Sequence, residues 1–291
     1  MGIKLTVDST CDIEIDRLEE NNVGIAYLKA IDNKTGIEYK DRGISNEELS
    51  GLLESGHRFT TSCPSLTDYE TLFTDILKTH DHIIHLNMSG KTSKSHETAV
   101  MASREVNADR ISVFDTKQFT TGFGGIVLAV IDFLKETQDI KEMLHLTEDY
   151  INRYEFLGAP NTIKYITKTG RIDATKIAIA AAALDTFNIK VQVKMIDGVL
   201  TPISRIKGTS VKSAIDNFGR HLEDLSKIDT GRIVLGYTDN AEDVDTIIEG
   251  IPNIQKFQVV EKIRARTVIL AHIGPKTFAC SFAVKDLAPS Q

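Results

Sequence analysis

Short apolar runs alternate with amphipathic stretches through the first 153 residues, and that alternation narrows the possible folds more than any other feature. Lys4 to Val7, Val23 to Ala30, His82 to Met88 and Arg110 to Asp115 read as strands. Between and after them, Ser45 to Glu54, Thr67 to Thr79, Ser95 to Val106, Thr121 to Lys135 and Ile140 to Arg153 carry helical spacing. Ser45 and Glu48 stand as a capping box does. Strands that alternate with helices imply a mostly parallel sheet covered on both faces. Such sheets take ligands at the carboxyl ends of their strands, where strand order reverses.

The pattern changes near Pro160. A short helix is expected over Thr162 to Thr169, then an alanine-rich one over Ala174 to Phe187. Ile189 to Ile196, Asp197-Gly198 and Val199 to Ile206 read as strand, tight turn and strand. Helices follow over Ser210 to Leu225 and Ala241 to Glu249. Strands are expected at Ile233 to Tyr237, Gln258 to Lys262, Val268 to Ile273 and Thr277 to Val284. The chain therefore reads as α/β with two domains: an N-terminal, mostly parallel α/β domain over residues 1–159 and a C-terminal α+β domain over 160–291.

Composition excludes several functions. The chain has 291 residues and a formal net charge of -7, which disfavours general nucleic-acid binding. Its three cysteines, Cys11, Cys63 and Cys280, form no CxxC pair. This points away from a disulfide framework or zinc site and toward a reducing cytoplasm. No apolar run approaches the roughly 18 residues of a membrane span. Met1-Gly2 with Thr6 loosely fits a lipidation pattern, but Ile3 to Val7 reads better as a buried first strand. A phosphate-binding P-loop, a GxSxG elbow and a metal-ligand cluster are absent from the sequence, so no cofactor is expected.

Four polar clusters adjoin expected strands or helices: Asp8 to Asp12, Thr61 to Ser65, Ser89 to Ser95, and Asp115-Thr116. Hydroxyls gathered at one sheet end could hold a carboxylate or phosphate, or could simply cap helices. Ser9, Ser62, Ser89 and Asp115 are candidate pocket or supporting residues on the first reading. His272 follows an apolar run and could be a ligand-binding or a core histidine. Gly122, Gly124 and Gly125, with Ala178 and Ala180 to Ala183, could leave room for a tunnel or allow close helix packing. Lys164, Lys168 and Arg171 recur at helical spacing, and Lys176, Arg205 and Lys207 could extend them into a basic patch or an ordinary solvated face.

These clusters also carry a resemblance. Asp8-Ser9-Thr10-Cys11-Asp12, Thr61-Ser62-Cys63-Pro64-Ser65, the glycine-rich stretch from Asp115 to Gly125, Thr169-Gly170-Arg171-Ile172, Asn188-Ile189-Lys190 and Ala271-His272-Ile273-Gly274-Pro275 resemble, in order, motifs of the DegV family. The chain departs where Thr92-Ser93-Lys94-Ser95-His96 stands in place of an LSGTY-like loop, where Thr169 replaces a glycine, and where Val191 replaces a proline. Lys207 stands where an arginine is usual.

The resemblance implies a long-chain fatty acid enclosed between two domains, with its carboxylate held by Thr61, Ser93 and His272. It further implies that the chain presents this carboxylate to a fatty acid kinase, docked through Arg171, Arg205 and Lys207, and leaves room for transient membrane contact. On this reading the chain catalyses nothing itself. Burial of some sixteen methylenes at roughly 0.8 kcal/mol each would supply on the order of 13 kcal/mol before ordering costs. The head group then mainly orients the ligand. The alternative is an acyl hydrolase or acyltransferase using Ser93 or Cys63 with His272.

Overall fold

The computed structural model describes residues 2–167 and 181–285. The motif at residues 169–172, Arg171 with it, and the first half of the alanine-rich helix expected over 174–187 lie outside the described residues.

The first part of the chain builds two sheets. Its strands are β1 (Ile3–Asp8), β2 (Gly24–Ala26), β3 (Lys29–Asp32), β4 (Glu38–Lys40), β5 (Phe59–Ser62), β6 (His82–Asn87) and β7 (Ile111–Asp115). The helices between and after them are α1 (Ile15–Glu20), α2 (Asn46–Glu54), α3 (Leu66–Leu77), α4 (Ser95–Asn107), α5 (Thr120–Glu136) and α6 (Ile140–Asn152). Strands β2-β1-β6-β7 form a wholly parallel sheet, and β4-β3-β5 a small antiparallel one. The single strand expected over Val23 to Ala30 is therefore two, in different sheets. Between them Leu28 turns inward, and its N–H donates to the buried Ser9 hydroxyl at 3.2 Å. The helix starts follow their caps. Ser45 Oγ accepts from the Glu48 N–H, while a reciprocal capping box forms at Ser65 and Asp68.

The second part contributes β8 (Tyr154–Ala159), α7 (Lys164–Thr167), α8 (Ala181–Thr186), β9 (Ile189–Ile196), β10 (Val199–Lys207), α9 (Ser210–Leu222), β11 (Ile228–Tyr237), α10 (Ala241–Gly250), β12 (Val259–Arg264), α11 (Thr267–Ile273) and β13 (Phe278–Val284). Its six strands run β10-β9-β8-β13-β11-β12, antiparallel except for the β11–β12 pair, which α10 connects. The sheet takes in β8, so its chain segment begins at Tyr154, ahead of the division expected at Pro160. Asp197 and Gly198 both have positive φ, as a two-residue hairpin of the primed type requires. Edge strand β10 carries Pro202 and a register shift between Pro202 and Ser204, both at home on an edge.

Helix α5 lies between the sheets and is buried from Thr120 through Ile131. Its glycines serve close packing. A methyl group on Gly125 would sit 1.7 Å from Tyr154 Oη, and one on Gly124 would sit 2.6 Å from the Cys11 carbonyl.

The strand expected over Val268 to Ile273 is instead helix α11. Thr267, Val268, Ile269 and Ile273 are β-branched and favour strands, but a fully buried apolar run this short has no polar face to reveal its period. Gly274, at φ 76°, ends the helix.

Candidate functional site

Helix α11 and strand β5 bring His272 and Thr61 together across 211 positions of sequence. His272 Nε2 and Thr61 Oγ1 lie 2.9 Å apart in a hydrogen bond. His272 is buried, with 8 % of its surface exposed. It lines a pocket with Met88, Thr92, Phe119, Ile166, Leu200, Ile269 and Ile273. A second cavity shares Phe119, Ile166, Leu200 and Ile273 with the first, and reaches Phe156, Gly158 and Ala279 of the six-stranded sheet. The two are neighbours in the space between the main sheets. Their mostly apolar lining suits an elongated apolar ligand. A hydroxyl and an imidazole side by side can together donate to a carboxylate.

The other candidates scatter by role. Ser93 is half-buried in the loop ahead of α4, and its hydroxyl accepts from the Ser95 N–H at 3.2 Å. Thr92, its neighbour in the same polar cluster, lines the pocket. Ser62 is half-buried at the end of β5, paired with Lys29. Ser89 is buried and donates to the Gly198 carbonyl at 2.7 Å, which ties the loop to the β9–β10 turn. Asp115 accepts from the Gly90 and Lys117 N–H groups and shapes the loop from below.

Much of the hydroxyl convergence is aimed at a protein carboxylate. Asp8 is fully buried and accepts from Thr10, from the Met88 N–H, and from the Asn87 and Ser95 side chains. Burial raises its carboxyl, and these hydrogen bonds hold it back. Capping and internal satisfaction thus account for Ser95 and Thr10. Ser9 serves the Leu28 N–H and the Asp41 carboxylate.

Asp12 lies beside this network. Burial, and then the neighbouring Asp41 charge, push its carboxyl up to about 8. An unfolded chain would release this proton near 3.8. Between those values the folded state holds the extra proton, so this group lowers stability as pH rises through the window. His85, whose ring burial pushes down to about 3, acts in the opposite sense, since stability is lost as pH falls below 6.5. Asp12→Asn is therefore expected to flatten the loss of stability between about pH 4 and 8. Denaturant melts of both proteins across that range check this, and parallel pH profiles would contradict it.

Arg205 and Lys207 are exposed on β10, on the same face as the exposed Ile203. The described residues contain no helix long and apolar enough to cross a membrane and no group of three His, Cys, Asp or Glu side chains that could share a metal ion.

A family model described as an uncharacterised protein of the DegV family matches residues 2–285. The chain belongs to the DegV family. It is 27 % identical over 286 residues to a DegV domain-containing protein of Caldanaerobacter subterraneus, covering 97 % of this chain and 99 % of that one. In fold it is similar to a fatty acid-binding DegV family protein from Thermus thermophilus, with TM-score 0.86 and 24 % identity over 97 % of this chain and 100 % of the other. It is also similar to the Streptococcus pneumoniae Fatty Acid Kinase (Fak) B3 protein loaded with linoleic acid, with TM-score 0.81 and 16 % identity over 98 % and 100 %. These likenesses establish the DegV architecture: a parallel-sheet N-terminal unit and a second, mixed-sheet unit.

Proposed function

We propose that this DegV chain binds a long-chain fatty acid between its two sheets, holds the carboxylate through Thr61, Ser93 and His272, and presents it to a fatty acid kinase in the cytoplasm without catalysing a reaction itself. The observation that carries this reading is the hydrogen bond between Thr61 and His272, whose imidazole lines an apolar cavity. Family membership and the fatty acids named for its structural neighbours support it. The exposed Arg205 and Lys207 are the described part of the proposed kinase-docking face. We place the division between the two domains ahead of β8, rather than at 159/160, because β8 pairs within the second sheet.

The first test is mass spectrometry of small molecules extracted from the purified chain. One fatty acid per chain is expected. His272→Ala is then expected to weaken fatty acid binding by about 2 kcal/mol, roughly thirtyfold, the worth of a hydrogen bond to a charged group. The matching fatty alcohol should lose far less. A chain that carries no fatty acid and takes up none when it is added would overturn the proposal. Covalent labelling of Ser93 or Cys63 by an acyl probe would favour the hydrolase or acyltransferase instead.

A further inference from the structure

Helix α11 has seven residues, all buried, and ends beside His272. A helix this short has little stability of its own, so its position depends on what holds its ends. At its start, three consecutive residues are each held by a residue from the first part of the chain. The Arg266 N–H donates to Asp12 Oδ1 at 2.9 Å. Thr267 Oγ1 accepts from the Arg42 N–H at 2.9 Å. The Val268 N–H donates to Asp41 Oδ1 at 3.0 Å. Arg266, the residue capping α11, contributes no side-chain cap of its own, so these partners do that work.

Asp12 and Asp41 are almost wholly buried. Asp12 and Arg42 both adopt positive φ, 57° and 71°. For an arginine that is a sparsely populated conformation, which persists only where the surroundings fix it. The two loops are themselves tied: the Arg42 guanidinium donates to the Ile13 carbonyl at 2.6 Å, and Ser9 reaches Asp41. One rigid assembly thus clamps the end of α11 opposite His272.

We infer that Asp12 and Asp41 are positioning residues for head-group recognition: they hold the start of α11 and thereby set the His272 imidazole against Thr61. The inference rests on the fatty-acid reading above. It assigns Asp12, within the first of the sequence clusters, a task at a site far from it in sequence.

The test compares palmitate with hexadecanol, which share a chain and differ in head group, on the full chain and its variants. Asp12→Ala and Asp41→Ala are each expected to lose about tenfold of the preference for the acid, the scale of one displaced hydrogen bond, with alcohol affinity kept. Asp12→Asn, which retains the acceptor and tolerates positive φ, should restore the parental preference. The His272 imidazole resonances in nitrogen-correlated NMR spectra of the ligand-free chain should shift in the alanine variants and return in Asp12→Asn. Thr267→Val, nearly isosteric, removes the acceptor for Arg42 and should behave as the alanine variants do, should those fold poorly. Variants with parental preference and unshifted His272 resonances would overturn the inference. A parent that binds acid and alcohol equally would instead overturn the head-group reading, and the ligand-free resonances would still decide whether Asp12 and Asp41 position His272.

Discussion

Leu200→Trp is expected to lose fatty acid binding by roughly two-hundredfold. Leu200 is buried on β10 and lines both cavities, so a bulkier side chain there enters the space where they adjoin. An indole filling that space would displace about four methylenes of an acyl chain, or about 3 kcal/mol at roughly 0.8 kcal/mol each. The substitution also risks overpacking of about 1–3 kcal/mol if the ring fails to enter the cavity. Leu200→Met, close in volume, should bind as the parent does and serves as the control. Displacement of a fluorescent fatty acid measures the affinities, and a thermal melt shows which way the indole has gone. A stable Leu200→Trp chain with parental affinity would mean that the ligand lies elsewhere.

Gly274→Ala is expected to cost about 3 kcal/mol of stability. Gly274 has φ 76° and ψ 173°, a combination open essentially to glycine alone. An added methyl would also lie 2.1 Å from Tyr165 Cδ2 and 2.5 Å from Cε2, deep inside packing distance. Overpacking costs typically about 1–3 kcal/mol, and the backbone strain adds about 1 kcal/mol or more. A fall in Tm of roughly 6–12 °C follows for a chain of this size. Because Gly274 ends the helix that carries His272, the same change should blunt discrimination between fatty acid and fatty alcohol. Pairing it with Tyr165→Leu should recover the clash and leave the strain, so the combined loss should fall short of the sum. Full additivity would place the cost in the backbone alone.

The parallel first sheet was legible because its strands and helices alternate with clear periods, and the β9–β10 hairpin because Asp197-Gly198 names its own turn. Strands β4 and β5 were not legible. They are short, and Thr60, Thr61 and Ser62 read as a polar loop until pairing with β3 extends them. Residues 268–273 were misread because burial on every side removes the polar face that distinguishes a helix from a strand. Among the proposed site residues, the resemblance pointed to Thr61 and His272, and the fold brings them into contact. Thr92 had no signal separating it from its neighbours, since only the loop's turn decides which hydroxyl faces the cavity. The hydroxyl clusters were legible as clusters, but not their shared object. Nothing in the sequence announces that Asp8 would sit at their centre.

The contact between α11 and the small antiparallel sheet also bears on synthesis. Ala30, Ile44, Leu49, Leu53 and Phe59 share a core cluster with Leu270 and Ala271, more than two hundred residues later in the chain. At roughly 5–20 residues per second, a ribosome leaves on the order of ten to forty seconds between emergence of the two sides. During that interval α2 and its neighbouring strands lack the α11 side of their core, although Tyr165 of the same cluster is made earlier. The nascent chain is thus expected to keep this face partly exposed until α11 is made, and truncations that stop short of α11 should aggregate even though they contain the entire parallel sheet.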